Sequence, residues 1–205
     1  MRRFAAIISV LLLIVSASSD GLAQIGEKDL VTELQKGGYN IFIRHPKTDP
    51  TQADIDPLNL DNIGAQRQLS EEGRQQATAL GETFRALKIP VDKVISSKFH
   101  RAYETSRLLA VGDVTTSIDV SEGGLVVSPN ENNRRTAALR ALLEKSPQPG
   151  KNTVIVSHKP NLVDAAGKDF VDMAEGEAAI FKPTGNGKFV LVGRVTVQKW
   201  AEMAK

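Results

Sequence analysis

Short runs of β-branched and aromatic residues alternate with amphipathic helical segments, and this alternation most constrains the fold. Predicted strands cover residues 39–43, 91–96, 114–120 and 153–157, and predicted helices cover 29–35, 70–87, 101–109 and 133–144. Strands separated by helices pair in parallel through right-handed crossovers, with helices on both faces of the sheet. The sequence therefore predicts an α/β fold, a three-layer α/β/α sandwich with a mostly parallel central sheet.

The C-terminal part departs from this alternation. Residues 178–182 and 189–195 flank the turn sequence Gly185-Asn186-Gly187, which predicts a C-terminal hairpin. Residues 46–68 are rich in Pro, Asp, Asn and Gln and predict a long surface loop. Trp200 is expected to pack in the core. Since about 180 residues are typical of one domain, residues 24–205 are predicted to form a single domain.

The first residues are typical of an export signal. Arg2 and Arg3 precede an apolar run over residues 4–15, and the segment ends in Gly21-Leu22-Ala23. This order predicts a signal peptide over residues 1–23, cleaved after Ala23. The run is shorter than the roughly 20 residues of a membrane-spanning helix, although an uncleaved anchor is the alternative. The expected location is periplasmic or secreted, with no stable membrane insertion after cleavage.

Charge and composition exclude several classes of function. Loss of residues 1–23 lowers the formal net charge from +2 to +1, so no nucleic-acid partner is expected. The chain has no cysteine, which excludes thiol chemistry. It has no His-x-x-x-His spacing and no dense carboxylate cluster, so no metal or other cofactor is expected. Asp54 and Asp56 are predicted to be solvated.

Candidate polar groups follow the predicted strands at the ends where α/β sheets bind ligands. In chain order they are Arg44 and His45, Ser97 and Arg101, Glu122, and His158. Because the carboxyl ends of parallel strands meet at one edge of the sheet, we expect these side chains to lie together.

Two histidines and two arginines are suited to phosphoryl transfer. The neutral His45 imidazole can attack phosphorus through one ring nitrogen if the other is held as a donor. Arg44 and Arg101 each offer a planar fork of donors to phosphate oxygens. Their charges also lower the pKa of His45, which favours the neutral, attacking form.

The motifs resemble those of the histidine phosphatase (phosphoglycerate mutase-like) superfamily. The segment from Ile43 to Thr48 is similar to its Arg-His-Gly-x-Thr signature. Further similar motifs follow in order: Leu69-Ser70-Glu71-Glu72-Gly73-Arg74, then Ser96-Ser97, Arg101-Ala102-Tyr103-Glu104-Thr105, and Val156-Ser157-His158. The resemblance spans about residues 39–165 and is specific because the whole set occurs in order.

The resemblance implies His45 as the nucleophile and Arg44, Arg101 and His158 as the phosphate-binding residues, without a metal. Pro46 replaces the usual glycine after the nucleophile and removes one N–H donor. An orienting bond from His45 to the Pro46 carbonyl is still possible. Lys159 replaces the glycine common after the second histidine and is expected to be solvated, with an added cation beside the pocket as the alternative.

The proton donor is not decided by the sequence. Glu122 follows the third predicted strand, where related enzymes often place an acid, and Glu131 and Glu177 are its rivals. His158 is expected to assist catalysis without attacking. His100 is predicted to be a surface residue, because neighbours on a helix point apart.

The expected function is a metal-independent phosphatase that hydrolyses a phosphomonoester through a phosphohistidine intermediate on His45. The expected partner is a small phosphorylated substrate or an envelope phospho-group. A non-catalytic or weakly active phospho-ligand-binding protein with the same fold is the alternative. Mutase activity on a phosphorylated sugar acid is less expected, since such metabolites are chiefly cytoplasmic.

Overall fold

One mixed sheet of six strands lies at the centre of the computed structural model, which describes residues 26–124 and 126–205. The strands are β1 (Asn40–Arg44), β2 (Val91–Ser97), β3 (Asp113–Ser117), β4 (Asn152–Ser157), β5 (Ala178–Gly185) and β6 (Lys188–Val195). Their order across the sheet is β3-β2-β4-β1-β5-β6. The strands β1 to β4 are parallel, and β5 and β6 form an antiparallel hairpin beside β1. The predicted α/β fold with a C-terminal hairpin is confirmed.

Helices cover both faces of this sheet. They are α1 (Glu27–Lys36), α2 (Glu71–Ala86), α3 (His100–Leu109), α4 (Pro129–Glu144), α5 (Lys159–Ala166) and α6 (Val197–Met203). The sequence did not predict α5 and α6, which have only 8 and 7 residues. Two helical turns give too few positions for a clear apolar periodicity.

The third strand is shorter than predicted. It ends at Ser117, and Ile118–Val120 form a 3₁₀ turn instead of continuing it. The Ser117 side chain accepts a hydrogen bond from the Asp119 backbone N–H at 3.1 Å. This local bond offers the backbone an alternative to the ladder of the sheet, and it turns the chain towards Glu122.

Alternating side chains on the strands separate two apolar layers. Ile41 and Ile43 pack with α1, α2, α3 and α6, where Trp200 lies 4.9 Å from Phe84 between ring centroids. Phe42 points to the other face and packs with α4 and α5. This alternation is the period-2 pattern of a strand buried on both faces. The predicted packing role of Trp200 is confirmed.

The start of α2 is held against the segment that follows β1. Ser70 caps the helix by accepting a hydrogen bond from the Gly73 N–H at 3.1 Å, and its own backbone N–H donates to the Lys47 carbonyl at 3.0 Å. A Cβ atom at position 73 would lie 2.0 Å from the Lys47 carbonyl oxygen. Glycine is therefore required there for the close approach, which fixes the path of the chain after His45.

The predicted signal peptide over residues 1–23 lies outside the described residues. Within the ranges 26–124 and 126–205, none of the helices combines the length and apolar character needed to cross a bilayer.

Candidate active site

The candidate residues from the sequence come together at the carboxyl edge of the sheet. His45 directly follows β1, and His158 directly follows the neighbouring strand β4, so their ring centroids lie 5.2 Å apart. Arg101 is in the first turn of α3, which follows β2. Glu122 approaches from beyond the 3₁₀ turn and contacts both Arg101 and His158.

His45 has the geometry of a neutral nucleophile. Its side chain is buried, and Nδ1 lies 2.9 Å from the Pro46 carbonyl oxygen. Because that oxygen can only accept, the bond places the proton on Nδ1 and leaves the lone pair on Nε2. Burial, and then the positive charge of Arg101, lower the pKa of His45 to about 3. The bond expected from the sequence is present, and the imidazole is neutral at ordinary pH.

Arg101 is fully buried and incompletely paired. Its Nη1 donates to Asp54 Oδ1 at 3.0 Å, and its Nη2 donates to Glu122 Oε2 at 3.1 Å. Its Nε has no hydrogen-bond acceptor among the described residues. A buried donor without an acceptor costs roughly 1–3 kcal/mol, so this guanidinium is prepared to bind an anion.

His158 places a second buried imidazole beside His45. Its Nε2 lies 2.8 Å from Ser97 Oγ, whereas Nδ1 is 3.5 Å from Glu122 Oε2 and makes no hydrogen bond within the described chain. Burial, followed by the positive charge of Arg101, lowers the pKa of His158 well below its ordinary value. A neutral ring with a proton on Nδ1 can donate to an oxygen beside His45.

Arg44 flanks the histidines from the β5 side of the sheet. Its Nη1 donates to the Met173 carbonyl at 2.6 Å, and its Nη2 lies 3.6 Å from Glu175 Oε1. The same Glu175 oxygen accepts from Thr48 Oγ1 at 3.4 Å. The positive charges of Arg44 and Arg101 both contribute to the lowered pKa of His45.

The three candidate proton donors have different surroundings. Glu131 is on α4, where hydrogen bonds from Arg134 and Arg135 lower its pKa to about 2. Glu177 is buried and paired with Arg194. Of the three, Glu122 is the one whose carboxylate approaches a site histidine, with Oε2 3.5 Å from His158 Nδ1.

Asp54 belongs to the site, so the prediction that it is solvated was wrong. Its Oδ1 accepts from Arg101 Nη1 and from the Arg67 backbone N–H, each at 3.0 Å. The long loop predicted over residues 46–68 folds back over the sheet edge and brings this carboxylate to the buried guanidinium. His100, predicted to be a surface residue, is half-buried, with Nδ1 2.7 Å from Gln68 Oε1.

Arg67 and Glu175 are further site residues that the sequence reasoning missed. Arg67 is half-buried, and its positive charge contributes to the lowered pKa of His45 and of His158. Glu175 faces Arg44 across the site. Neither residue stands in a motif or directly after a strand of the parallel set, so no sequence signal indicated them.

The assembled site contains three guanidinium groups, three carboxylates and two neutral imidazoles. The guanidinium groups belong to Arg44, Arg67 and Arg101, and the carboxylates to Asp54, Glu122 and Glu175. An incoming oxyanion therefore meets an Arg101 Nε that lacks an acceptor among the described residues, whereas the Nη atoms of Arg101 and Nη2 of Arg44 already face carboxylates. Among the described residues no group of three or more His, Cys, Asp or Glu side chains could hold a metal ion.

The two buried neutral imidazoles predict how the free energy of unfolding depends on pH. The ordinary pKa of an unfolded histidine is about 6.5, and that of folded His45 is about 3. The unfolded chain therefore binds more protons, and the free energy of unfolding should fall as the pH drops from about 6.5 towards about 3. Urea denaturation at about pH 7.5, 6 and 5 measures this slope. His158→Gln should make it shallower, and an unchanged slope would contradict the buried neutral ring.

Comparisons with known proteins agree with this geometry. A sequence model described as the histidine phosphatase superfamily (branch 1) matches residues 41–123, which include Arg44, His45 and Arg101. No curated protein sequence matches the chain significantly.

Solved structures of phosphatases share the fold. The protein histidine phosphatase SixA, complexed with tungstate, is 15% identical with a TM-score of 0.53, and the match covers 78% of this chain and 97% of SixA. A mycobacterial glucosyl-3-phosphoglycerate phosphatase complexed with VO₃ is 15% identical with a TM-score of 0.56, covering 76% and 97%. A mutant phosphoserine phosphatase from Entamoeba histolytica, in complex with phosphoserine, is 16% identical with a TM-score of 0.54, covering 78% and 98%. At these identities the likeness shows the fold.

Proposed function

Residues 41–123 match the histidine phosphatase superfamily model, and we propose that this chain is a member of that superfamily, a metal-independent phosphatase that hydrolyses a phosphomonoester through a phosphohistidine intermediate on His45. One observation carries the proposal. A buried neutral imidazole with its lone pair on Nε2 lies in the same site as a fully buried guanidinium whose Nε lacks an acceptor. A nucleophile beside an unsatisfied cation is the arrangement that phosphoryl transfer requires.

In the first step, the lone pair on His45 Nε2 attacks phosphorus, a P–N bond forms and the P–O bond to the leaving group breaks. We assign Glu122, in its protonated form, as the acid that gives its proton to the leaving oxygen. Arg44, Arg101 and His158 stabilise the charge on the other phosphoryl oxygens. The Nδ1–H bond to the Pro46 carbonyl persists and stabilises the positive charge that develops on the ring.

In the second step, water attacks the phosphorus of phosphohistidine. The ionised Glu122 takes a proton from that water, the P–N bond breaks and its electron pair returns to Nε2 of His45. Inorganic phosphate leaves, with Glu122 protonated again for the next turnover. The carboxyl group thus acts as acid in one step and as base in the other.

The similar structures support the class of substrate. They include a protein histidine phosphatase, a glucosyl-3-phosphoglycerate phosphatase and a phosphoserine phosphatase. We accordingly propose a small phosphorylated substrate or an envelope phospho-group for this chain, and no nucleic acid.

A quench experiment tests the proposed function. Purified mature protein is mixed with a ³²P-labelled phosphomonoester and quenched rapidly into alkali, because a phosphoramidate is labile to acid and fairly stable to base. We expect label on the peptide that carries His45, with equal turnover before and after dialysis against EDTA. Tight phosphate binding with neither label nor turnover would instead indicate a binding protein, and a metal requirement would indicate metal-assisted hydrolysis.

The export proposal has its own test. If residues 1–23 are removed during secretion, intact-mass measurement of protein from the native envelope should show a chain that begins near Gln24. Full-length chain recovered from the membrane fraction would contradict the cleaved, periplasmic or secreted form.

A further inference from the structure

The turn at residues 173–177 contacts the nucleophile segment at four points. The Arg44 backbone N–H donates to the Glu177 carbonyl at 3.0 Å. The Gly176 N–H donates to the carbonyls of Arg44 and His45, at 3.1 and 3.2 Å. The Arg44 side chain donates to the Met173 carbonyl at 2.6 Å. The position of this turn therefore fixes both the backbone of His45 and the direction of the Arg44 guanidinium.

A buried ion pair holds the turn in shape. Glu177 is only 5% exposed, and its carboxylate accepts the Ala174 N–H at 2.7 Å, which closes the turn. It also receives Arg194 from β6 through Nε at 2.6 Å and Nη2 at 3.1 Å. Such a two-point fork fixes orientation as well as distance.

Arg194 also connects the ion pair to the segment that precedes the turn. Its Nη1 donates to the Asp169 carbonyl at 3.0 Å and to Asp172 Oδ1 at 2.9 Å. The far side of the turn is packed closely, since a Cβ at position 176 would lie 2.5 Å from a methyl carbon of Val197. Because α6 and Arg194 confine the turn from outside, the hydrogen bond from the Ala174 N–H to the Glu177 carboxylate is what holds the turn from within.

We propose that Glu177 and Arg194 are a positioning pair, which holds the 173–177 turn so that His45 and Arg44 are correctly placed for the reaction. This inference rests on the proposed phosphatase function. Every contact of the Glu177 carboxylate described above is made to Arg194 or to the turn itself, so the pair acts through the residues it positions. A displacement of about 1 Å at reacting groups can lower a rate by roughly 10²-fold.

Variants of the pair test this role against a purely structural one. We expect Arg194→Met to lower kcat by on the order of 10²-fold and to weaken orthovanadate binding about tenfold, with a smaller change in KM. Arg194→Lys keeps the charge without the fork and should recover part of kcat. Glu177→Gln keeps the shape of the acceptor and should also be intermediate.

Asn40→Ala is the matched control at the opposite end of β1. The Asn40 side-chain amide donates to the carbonyls of Leu142, Leu143 and Lys145 at 2.9–3.1 Å, so its loss lowers the melting temperature far from His45. We expect this variant to keep kcat. If Arg194→Met loses only as much stability as Asn40→Ala and keeps kcat and vanadate affinity, the positioning role is refuted.

A double-variant cycle separates positioning through Arg44 from other effects. In an Arg44→Ala background, Arg194→Met should lower kcat several-fold less than in the wild type, because coupled residues are not additive. Fully additive losses would overturn the inference. If Arg194→Met does not fold, Arg194→Lys and Glu177→Gln provide the same comparison. Vanadate affinity is measured without turnover, so it tests the positioning role separately from the phosphatase function. Unchanged vanadate affinity in the variants would contradict the positioning role even if His45 is labelled. Absence of label on His45 would contradict the phosphatase function even if vanadate affinity falls.

Discussion

His45→Ala should lower kcat by on the order of 10⁴-fold or more, the scale of loss seen when a covalent nucleophile is removed, and should leave no alkali-stable phosphate on the protein. Its Nε2 is the nitrogen that the Pro46 bond leaves with a lone pair, in a ring that burial keeps neutral. His158 cannot substitute by simple exchange, since its Nε2 is engaged with Ser97 Oγ. The measurement combines steady-state turnover with the alkaline quench.

The chain contains a matched histidine control. His100→Ala removes an imidazole that is hydrogen-bonded to Gln68 and is half-buried, and we expect it to retain the label and most of the turnover. His158→Ala should reduce both while label remains on His45, because His158 donates to a phosphoryl oxygen and does not attack. Turnover that survives in His45→Ala, or label on His158, would refute the assigned nucleophile.

The parts of the site that the sequence predicted depend on local patterns. A β-branched run followed by Arg44 and His45 marks a buried strand and its end, and parallel strands place such ends together. Ser70 and the two acidic residues after it mark the start of α2, which the structure confirms. These signals lie within a few residues of one another, so no long-range contact was needed to interpret them.

The parts that the sequence did not predict depend on the return of distant segments. The contact between Asp54 and Arg101 requires a loop 47 residues upstream to fold over the sheet edge. Glu175 reaches Arg44 from 131 residues further along the chain. Polar loop residues without periodicity carry no indication of where the loop will lie, so composition suggested solvation for Asp54.

The sequence could not select the proton donor among Glu122, Glu131 and Glu177 because one of the deciding contacts is also long-range. Arg134, Arg135 and Arg194 donate to the carboxylates of Glu131 and Glu177 away from the histidines, whereas Glu122 Oε2 lies 3.5 Å from His158 Nδ1. The partners of Glu131 are three and four residues away on the same helix and follow from helical spacing. The partner of Glu177 is on the next strand of the hairpin, and its register could not be read from the sequence because β5 and β6 contain irregular pairings.

Arg101→Met should lower kcat by on the order of 10³-fold, about the upper end of what the loss of one preorganised donor costs. Two effects add. The transition state loses a guanidinium whose Nε has no other acceptor, and the carboxylates of Asp54 and Glu122 lose the cation between them. Those carboxylates then repel the incoming phosphate, so vanadate binding should weaken together with kcat.

The repulsion between these carboxylates and the phosphate can be measured separately by replacing Asp54 as well. Adding Asp54→Asn to Arg101→Met removes one uncompensated negative charge and should recover part of the vanadate affinity, while kcat stays low because the donor is still absent. Arg107→Ala, an exposed arginine on the same helix, should leave both quantities unchanged. Arg101→Lys should remain strongly impaired, since an ammonium group cannot contact Asp54, Glu122 and a phosphoryl oxygen in the geometry of the planar fork. If Arg101→Met kept near-normal turnover, the phosphoryl group would have to bind away from Arg101, and the proposed site would be wrong.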